Sequence, residues 1–338
     1  MHVKEEGKIN MPKAIISIII PIYKVEKFLP QTLLSIQNQT FTDFEAICVN
    51  DGSPDNCLNI IKQFTKNDER FKLIDQPNSG ISVARNAGIN IATGKYIMFL
   101  DGDDYLHPQA MEFAYKTIEK SNADICDFGY EKVMEDEKTK FPCLTIDDYK
   151  SVSDVFLKYL KREFYPVVMV WNKIYKAEFV KKTSFKPYHP GEDTIWTFEI
   201  FAKIKKFVTF ENKLIYYVQN SKSIMHQISE EKFILNHAAI MCEISASTKQ
   251  MIESEKYANL HGDLIHFLND CHREVFKNLI LKPLRQKMDI KIIQNNFTRY
   301  QQYINLHSPY LKPLKLKRRL IIWLLLKQYY TLARLLTK

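Results

Sequence analysis

The chain has 338 residues, 46% of them apolar, and 48 Lys or Arg against 39 Asp or Glu give it a formal charge of +9. Ten basic residues and no acidic one lie between Ile290 and Lys338, leaving 38 basic and 39 acidic residues before them, a net of −1. A chain-wide electrostatic footprint for nucleic acid is thereby excluded, as are disorder as the main state and, with six cysteines and no CxxC pair, a zinc ribbon or disulfide scaffold.

Met1 to Pro12 is polar and charged, with no apolar signal-peptide core. No stretch reaches the ~18 apolar residues of a membrane span. A cytoplasmic protein with reduced thiols is therefore expected. Ile15 to Ile20 is an apolar, β-branched run ending at Pro21, which reads as a strand buried on both faces and hence parallel. Lys27 to Gln39 has helical spacing. Phe44 to Val49 reads as a second strand, closed by Asn50-Asp51-Gly52-Ser53-Pro54. There Ser53 can cap a helix opened by Pro54. Phe71 to Ile74 is a third strand, Ser82 to Ile91 a helix, and Tyr96 to Leu100 a fourth strand closed by Asp101-Gly102-Asp103-Asp104. A helix over Pro108 to Ser121 and a strand over Asp124 to Tyr130 follow.

This alternation predicts βαβ units and an α/β fold with an open, mostly parallel sheet. Ligands of such sheets bind beyond the carboxyl ends of the strands, and both acidic clusters fall there. After Tyr130 the pattern loosens. A charged loop over Glu131 to Lys140, a helix over Ser153 to Lys161 and an apolar run over Val167 to Tyr175 around Trp171 are expected. A helix over Thr194 to Ile204 and a strand over Lys213 to Val218 come next. From Ser229 onward the chain reads as helices only, with breaks near Gly262, Pro283 and Pro313.

Four motifs carry candidate chemistry. Three carboxylates within Asp101-Gly102-Asp103-Asp104 repel one another unless a cation is present, and their oxygens suit Mg²⁺ or Mn²⁺ with phosphate; the plainer reading is an acidic turn. Asp51 at a strand end can accept hydrogen bonds from a base or ribose, or simply close an Asx turn. In Asn78-Ser79-Gly80-Ile81-Ser82-Val83-Ala84-Arg85-Asn86-Ala87-Gly88, Gly80 admits a tight turn and Gly88 allows a helix to approach the sheet. Arg85 is either functional or a solvated side chain on an amphipathic helix. Gly191-Glu192-Asp193 opens a helix, where a carboxylate is favoured in its charged form. That suits a general base, or a plain helix cap.

In this order the motifs, with the opening Ser17-Ile18-Ile19-Ile20-Pro21-Ile22-Tyr23 and the run Gly94-Lys95-Tyr96-Ile97-Met98-Phe99-Leu100, resemble glycosyltransferase family 2. The resemblance is close over Ala14 to Tyr130. It continues more weakly through Trp171-Asn172-Lys173-Ile174-Tyr175, Gly191-Glu192-Asp193 and Tyr217 to Ile224. Among members of the family the chain is most similar to bacterial enzymes of capsular, exopolysaccharide or lipopolysaccharide synthesis.

The resemblance implies a GT-A catalytic domain over 13–228, its nucleotide half at 13–130 and its acceptor half at 131–228, then a helical region over 229–338. It implies an inverting transferase using a nucleotide-diphospho-sugar, and a glycan or lipid-linked glycan acceptor. Pro21, Ile22 and Tyr23 would line the nucleotide pocket. Asp51 would bind the uracil edge, Arg85 would lie near the phosphates, and Asp101 with Gly102 would face the ribose and donor sugar. Asp103 would hold Mn²⁺ or Mg²⁺ with Asp104 in support. Asp193 would be the general base, with Glu192 as neighbour or alternate, and Trp171 an acceptor-side wall. Some GT-A enzymes supply a late metal-ligating His, but the lone His226 reads rather as a surface or packed side chain.

Two other functions compete. A sugar nucleotidylyltransferase would carry a Gly-rich phosphate loop after the first strand, where Pro21-Ile22-Tyr23-Lys24 has no glycine. A non-catalytic sugar-nucleotide-binding assembly protein would not need the full set of carboxylates. The basic end has two main readings. Leu316, Leu320, Trp323, Leu324 and Lys327 lie at helical spacing, with Lys315, Arg318 and Arg319 elsewhere on the wheel. The helix either packs on the body with a solvated basic face, or lies on an anionic membrane surface, which would make the protein peripheral at the inner face of the cytoplasmic membrane. No nucleic-acid motif is present.

Overall fold

A computed structural model describes residues 14–135, 141, 142, 144, 149–164, 168–187, 191–219 and 229–337. Its strands are β1 (Ile16–Ile22), β2 (Phe44–Asp51), β3 (Phe71–Gln76), β4 (Tyr96–Phe99), β5 (Tyr105–Leu106), β6 (Ile125–Met134), β7 (Tyr149–Ser153), β8 (Lys173–Lys176) and β9 (Lys206–Gln219). They form one sheet in the order β3-β2-β1-β4-β8-β6-β9-β5, with β7 pairing β9. β3, β2, β1 and β4 are parallel, while β8 runs antiparallel to both β4 and β6. β1 and β2 are buried along their whole length, which explains why apolar residues dominate them. Pro21 sits within the central strand β1 because β4 pairs with β1 only from Ile16 to Ile19, so no ladder bond to that side is asked of it.

Helices α1 (Leu29–Gln37), α2 (Cys57–Asn67), α3 (Ile81–Ile91) and α4 (Ala110–Ser121) connect these strands. Gly88 fixes the approach of α3: a Cβ there would lie 2.4 Å from Ile19 Cγ2, so only glycine lets the helix pack this closely on β1. Ser53 does not cap α2, which begins at Cys57. Its Oγ donates to Asp55 Oδ1 at 2.5 Å and accepts from Lys24 N at 2.7 Å. Asp55 takes the local role instead, accepting from Cys57 N at 3.2 Å. Ser53 thus joins the turn after β1 to the turn after β2.

β6 continues to Met134, four residues beyond the strand expected from local pattern, because β9 pairs with it across a bulge at Phe128–Tyr130. Gly129 permits the bulge; a Cβ there would meet Glu211 O at 2.5 Å.

The chain divides into two compact units, the first comprising Met1–Val152, Val170–Ser184 and Lys206–Gln219. The second comprises Ser153–Met169, Phe185–Lys205 and Asn220–Lys338, so α5 (Val155–Leu160) and α7 (Glu192–Phe201) belong with the C-terminal helices; α6 (Ala177–Val180) stays with the sheet. In the second unit Phe198 of α7 stacks on Phe267 at 5.5 Å and meets Tyr159 at 6.1 Å. The C-terminal helices are Glu230–Ile252, His261–Phe276, Lys282–Arg285, Ile290–His307, Leu316–Leu326 and Tyr330–Leu335. The break expected at Gly262 falls earlier, at the 3₁₀ turn Glu255–Leu260. That expected at Pro283 is a π turn, Lys277–Leu281, which leads into the proline without ending the helical path. Among the described residues no helix is long and apolar enough to cross a membrane.

Candidate active site

The strand order reverses between β1 and β4: β2 and β3 lie to one side of β1, and β4 to the other. A crevice opens beyond the carboxyl ends at such a switch point. The residues that follow β1 and β4 are Tyr23 and Asp101-Gly102-Asp103-Asp104. The acidic turn packs on the end of β1, since a Cβ on Gly102 would lie 3.3 Å from Pro21 O and 3.6 Å from Ile22 Cγ1. Thr32 Oγ1 donates to Gly102 O at 3.0 Å and anchors the acidic turn to α1. Pro21 and Ile22 are buried beneath it, and Tyr23 is 40% exposed.

Asp51, at the end of β2, is buried, and its carboxylate organises the neighbouring turn. Oδ1 accepts from Ser79 N at 2.9 Å and Gln76 Nε2 at 2.7 Å, and Oδ2 from Gly80 N at 2.8 Å. Gly52, at φ +63°, makes room for this turn: a Cβ would stand 2.5 Å from Asn78 N. The second and third motifs are therefore one structure. Nothing in the spacing of Asp51 indicated Gln76 or the two backbone donors, because a backbone N–H leaves no mark on sequence.

Arg85 is not a solvated side chain. It is 1% exposed, one turn before Gly88 on the face of α3 that meets the sheet. Its Nη2 donates to Asp101 Oδ1 at 3.2 Å. Asp103 is half-buried, and burial followed by the Asp101 charge pushes its carboxyl up to about 6. Asp104 is fully buried. Its Oδ1 accepts from Val218 N at 2.9 Å, which ties the acidic turn to β9, and its Oδ2 is buried without a hydrogen-bond donor among the described residues. Burial, then the charges of Asp103 and Asp101, push it well above the carboxylate range against that single N–H.

These carboxylates suit a hard cation. Their oxygens are the ligand type such ions take, burial and neighbouring charge raise the proton affinity of Asp103 and Asp104, and one buried oxygen of Asp104 lacks a donor among the described residues. Among the described residues no group of three His, Cys, Asp or Glu is arranged to hold a metal alone. A cation here would complete its shell with substrate and water oxygens, as Mg²⁺ sites commonly do.

Trp171 is buried at 4% exposure, stacked on Tyr217 at 5.5 Å with Tyr130 edge-on at 5.1 Å. It therefore offers little open ring surface. The two tyrosines arrive from β9 and β6, a convergence created by strand pairing rather than by proximity in sequence. Glu192 and Asp193 occupy the first turn of α7, in the second unit. Glu192 is buried and Asp193 half-buried, and Glu192 Oε2 accepts from Gly191 N at 3.1 Å. Gly191, at φ +118°, is held against Ile240, whose Cδ1 lies 2.0 Å from where a Cβ would be. His226 lies outside the described residues.

Residues 17–212 match the family Glycosyl transferase family 2. Glycosyltransferase GlyA of Streptococcus pneumoniae is 31% identical over 232 residues, which cover 67% of this chain and 33% of that protein. The uncharacterized glycosyltransferase EpsJ of Bacillus subtilis is 31% identical over 215 residues, 62% of each chain. The chain thus spans less than two thirds of the length of these curated relatives. Among solved structures, S. aureus TarS 1-349 in complex with UDP-GlcNAc is similar in fold, with a TM-score of 0.66 over 95% of this chain and 90% of that one at 18% identity.

Proposed function

The chain belongs to glycosyltransferase family 2, and from that membership we propose that it is an inverting, metal-dependent transferase. It moves a sugar from a nucleotide-diphospho-sugar, a UDP-sugar in this reading, to a hydroxyl of a glycan or lipid-linked glycan in bacterial surface polysaccharide synthesis. It works in the cytoplasm, peripheral at the inner face of the membrane. The observation that carries this reading is the acidic turn Asp101–Asp104, packed on Pro21 and Ile22 at the switch point and braced by the buried Arg85. The fold likeness to a protein solved with UDP-GlcNAc supports the choice of donor.

Tyr23, exposed beside the buried Pro21 and Ile22, borders the base, and Asp51 accepts from its edge. Asp51 already takes three donors, and a carboxylate has about four lone-pair sites, so one remains. Asp101, held by Arg85, faces the ribose and sugar, where Gly102 admits close approach. Asp103 would hold Mn²⁺ or Mg²⁺, with Asp104 anchoring the turn behind it. Such an ion, when bound, neutralises the charge that develops on the departing diphosphate.

Asp193 takes the proton of the acceptor hydroxyl, with Glu192 as its neighbour. Such base assistance contributes roughly 10²–10⁴-fold. The new oxygen–C1 bond forms as the C1–phosphate oxygen bond breaks, in one displacement that turns an α-linked donor into a β-linked product. Trp171 backs the acceptor side through the Tyr130–Trp171–Tyr217 cluster. A donor screen by nucleotide release across UDP- and GDP-sugars with Mn²⁺ tests the reading, with the product anomer read by NMR. Release from no donor, or an α-configured product, would refute it.

A further inference from the structure

We propose that the outward faces of the last two helices, Leu316–Leu326 and Tyr330–Leu335, form a docking surface for an anionic lipid bilayer. The inference deepens the peripheral location given in the proposed function and rests on that reading. The helix Leu316–Leu326 buries Ile321, Leu324 and Leu325 in one core with Phe276, Leu279 and Tyr300 of the same unit. Leu324, expected on the face of Leu316, Leu320 and Trp323, therefore points inward.

What remains outside is apolar as well as basic. Leu316, Leu320, Trp323 and Leu326 recur on one helical side, the least exposed being Leu320 at 43% and the most Leu316 at 79%. Tyr329, Leu332 and Leu335 are each at least half exposed beside them. Trp323 and Tyr329 lie 6.5 Å apart, which joins the two groups.

Charge accompanies this apolar surface. Lys312, Lys315, Lys317, Arg319 and Lys327 are exposed, no acidic residue follows Asp289, and no carboxylate pairs with these five among the described residues. Arg318 and Arg334 face the body instead, Arg318 over the Phe276 ring at 5.6 Å and Arg334 donating to Met288 O. Exposed Leu, Trp and Tyr with Lys and Arg around them match the chemistry of a bilayer interface. The long basic side chains can reach phosphates while their stems stay against apolar surface. A second copy of this chain would set positive charge against positive charge. An anionic leaflet supplies the opposite sign, worth about fivefold in partitioning per basic residue.

Trp171 and Trp196 are buried, so Trp323 is the exposed fluorescent reporter among the three tryptophans. The full chain is mixed with vesicles of phosphatidylcholine alone or with phosphatidylglycerol, then sedimented. Expected are co-sedimentation and a blue shift of emission with the anionic vesicles only, the shift being lost in Trp323→Phe. Leu320→Ser/Trp323→Ser/Leu326→Ser abolishes binding, and Lys315→Gln/Lys317→Gln/Arg319→Gln weakens it about a hundredfold, with each variant's thermal unfolding checked against the parent. Absence of vesicle binding, or binding that ignores the basic-residue variant, overturns the proposal. A dimer that the apolar triple variant converts to monomer, without vesicle binding, assigns the face to a second copy and also overturns it. Nucleotide release measured without vesicles separates the two readings. Turnover by a chain that ignores vesicles sinks the docking and the peripheral location but leaves the transferase chemistry, and vesicle binding with no turnover sinks the transferase chemistry alone.

Discussion

Arg85 Nη2 donates to Asp101 Oδ1 at 3.2 Å, joining the buried face of α3 to the loop after β4. The pair places a positive charge behind a turn that carries three carboxylates, and it does so from a helix seated on the sheet by Gly88. Arg85→Gln removes that charge and leaves Asp101 facing Asp103 unopposed. The expected cost is about 1–3 kcal/mol of stability, read from the denaturant midpoint. UDP affinity by calorimetry is expected to weaken with it, and unchanged affinity would detach Arg85 from donor binding.

Asp103→Asn retains size and hydrogen bonding but removes the charge expected to hold the cation. Turnover is expected to vanish across a Mn²⁺ titration. Full activity of the parent protein in EDTA would sink the metal role altogether.

For Asp193→Asn, donor binding is expected to stay within about twofold while transfer falls by 10²–10⁴-fold, the usual range for loss of a positioned base. A fall in donor affinity with transfer intact would contradict the assignment.

Gly88→Ala tests how α3 is seated. The new methyl would need Ile19 to move, so a loss of about 1–3 kcal/mol is expected from overpacking, measured by urea unfolding. Gly80→Ala is a different case, because a Cβ there meets no neighbour among the described residues and the strain is only that of φ +88°.

The opposite end of the sheet carries a pH dependence. Glu45 is buried and accepts from Ser17 Oγ at 2.5 Å, Lys72 Nζ at 2.5 Å and Thr93 N at 2.6 Å. Burial alone would push Glu45 up, but the bonds from Lys72, Ser17 and Thr93 together hold it below its ordinary 4.5. The unfolded chain therefore binds the proton first as acid is added. This stabilisation is present above pH 4.5 and is lost as pH falls through the lowered folded value. The parent is expected to lose more stability between neutral pH and pH ~3 than Glu45→Gln does, as followed by the urea midpoint. Equal losses would remove Glu45 from the acid response.

Much of the local geometry around the candidate site was legible in the residues themselves. β1, β2 and β4 are buried on both faces, so apolar residues dominate them. Their carboxyl ends must turn sharply, which selects Asp51-Gly52 and Asp101-Gly102. Gly88 could be read as a close helix–sheet approach because only the absence of a side chain allows one. Those features are local: burial and backbone geometry act on consecutive residues and leave their mark in order along the chain.

Tertiary structure alone decided the rest. That Arg85 is buried and paired depends on which way α3 faces. That Asp51 is held by Gln76 and the Ser79 and Gly80 amides depends on parallel pairing of β2 with β3. That Asp104 is fastened to β9 depends on a strand 114 residues away in sequence. Burial of Trp171 between tyrosines of β6 and β9 and the apolar outward face of Leu316–Leu326 likewise follow from partners remote in the chain. The order of residues along the chain marks candidate chemistry and the places where the backbone bends. The distances, burial and pairing that act on them arise only when distant segments meet, because each is a property of two surfaces and not of one.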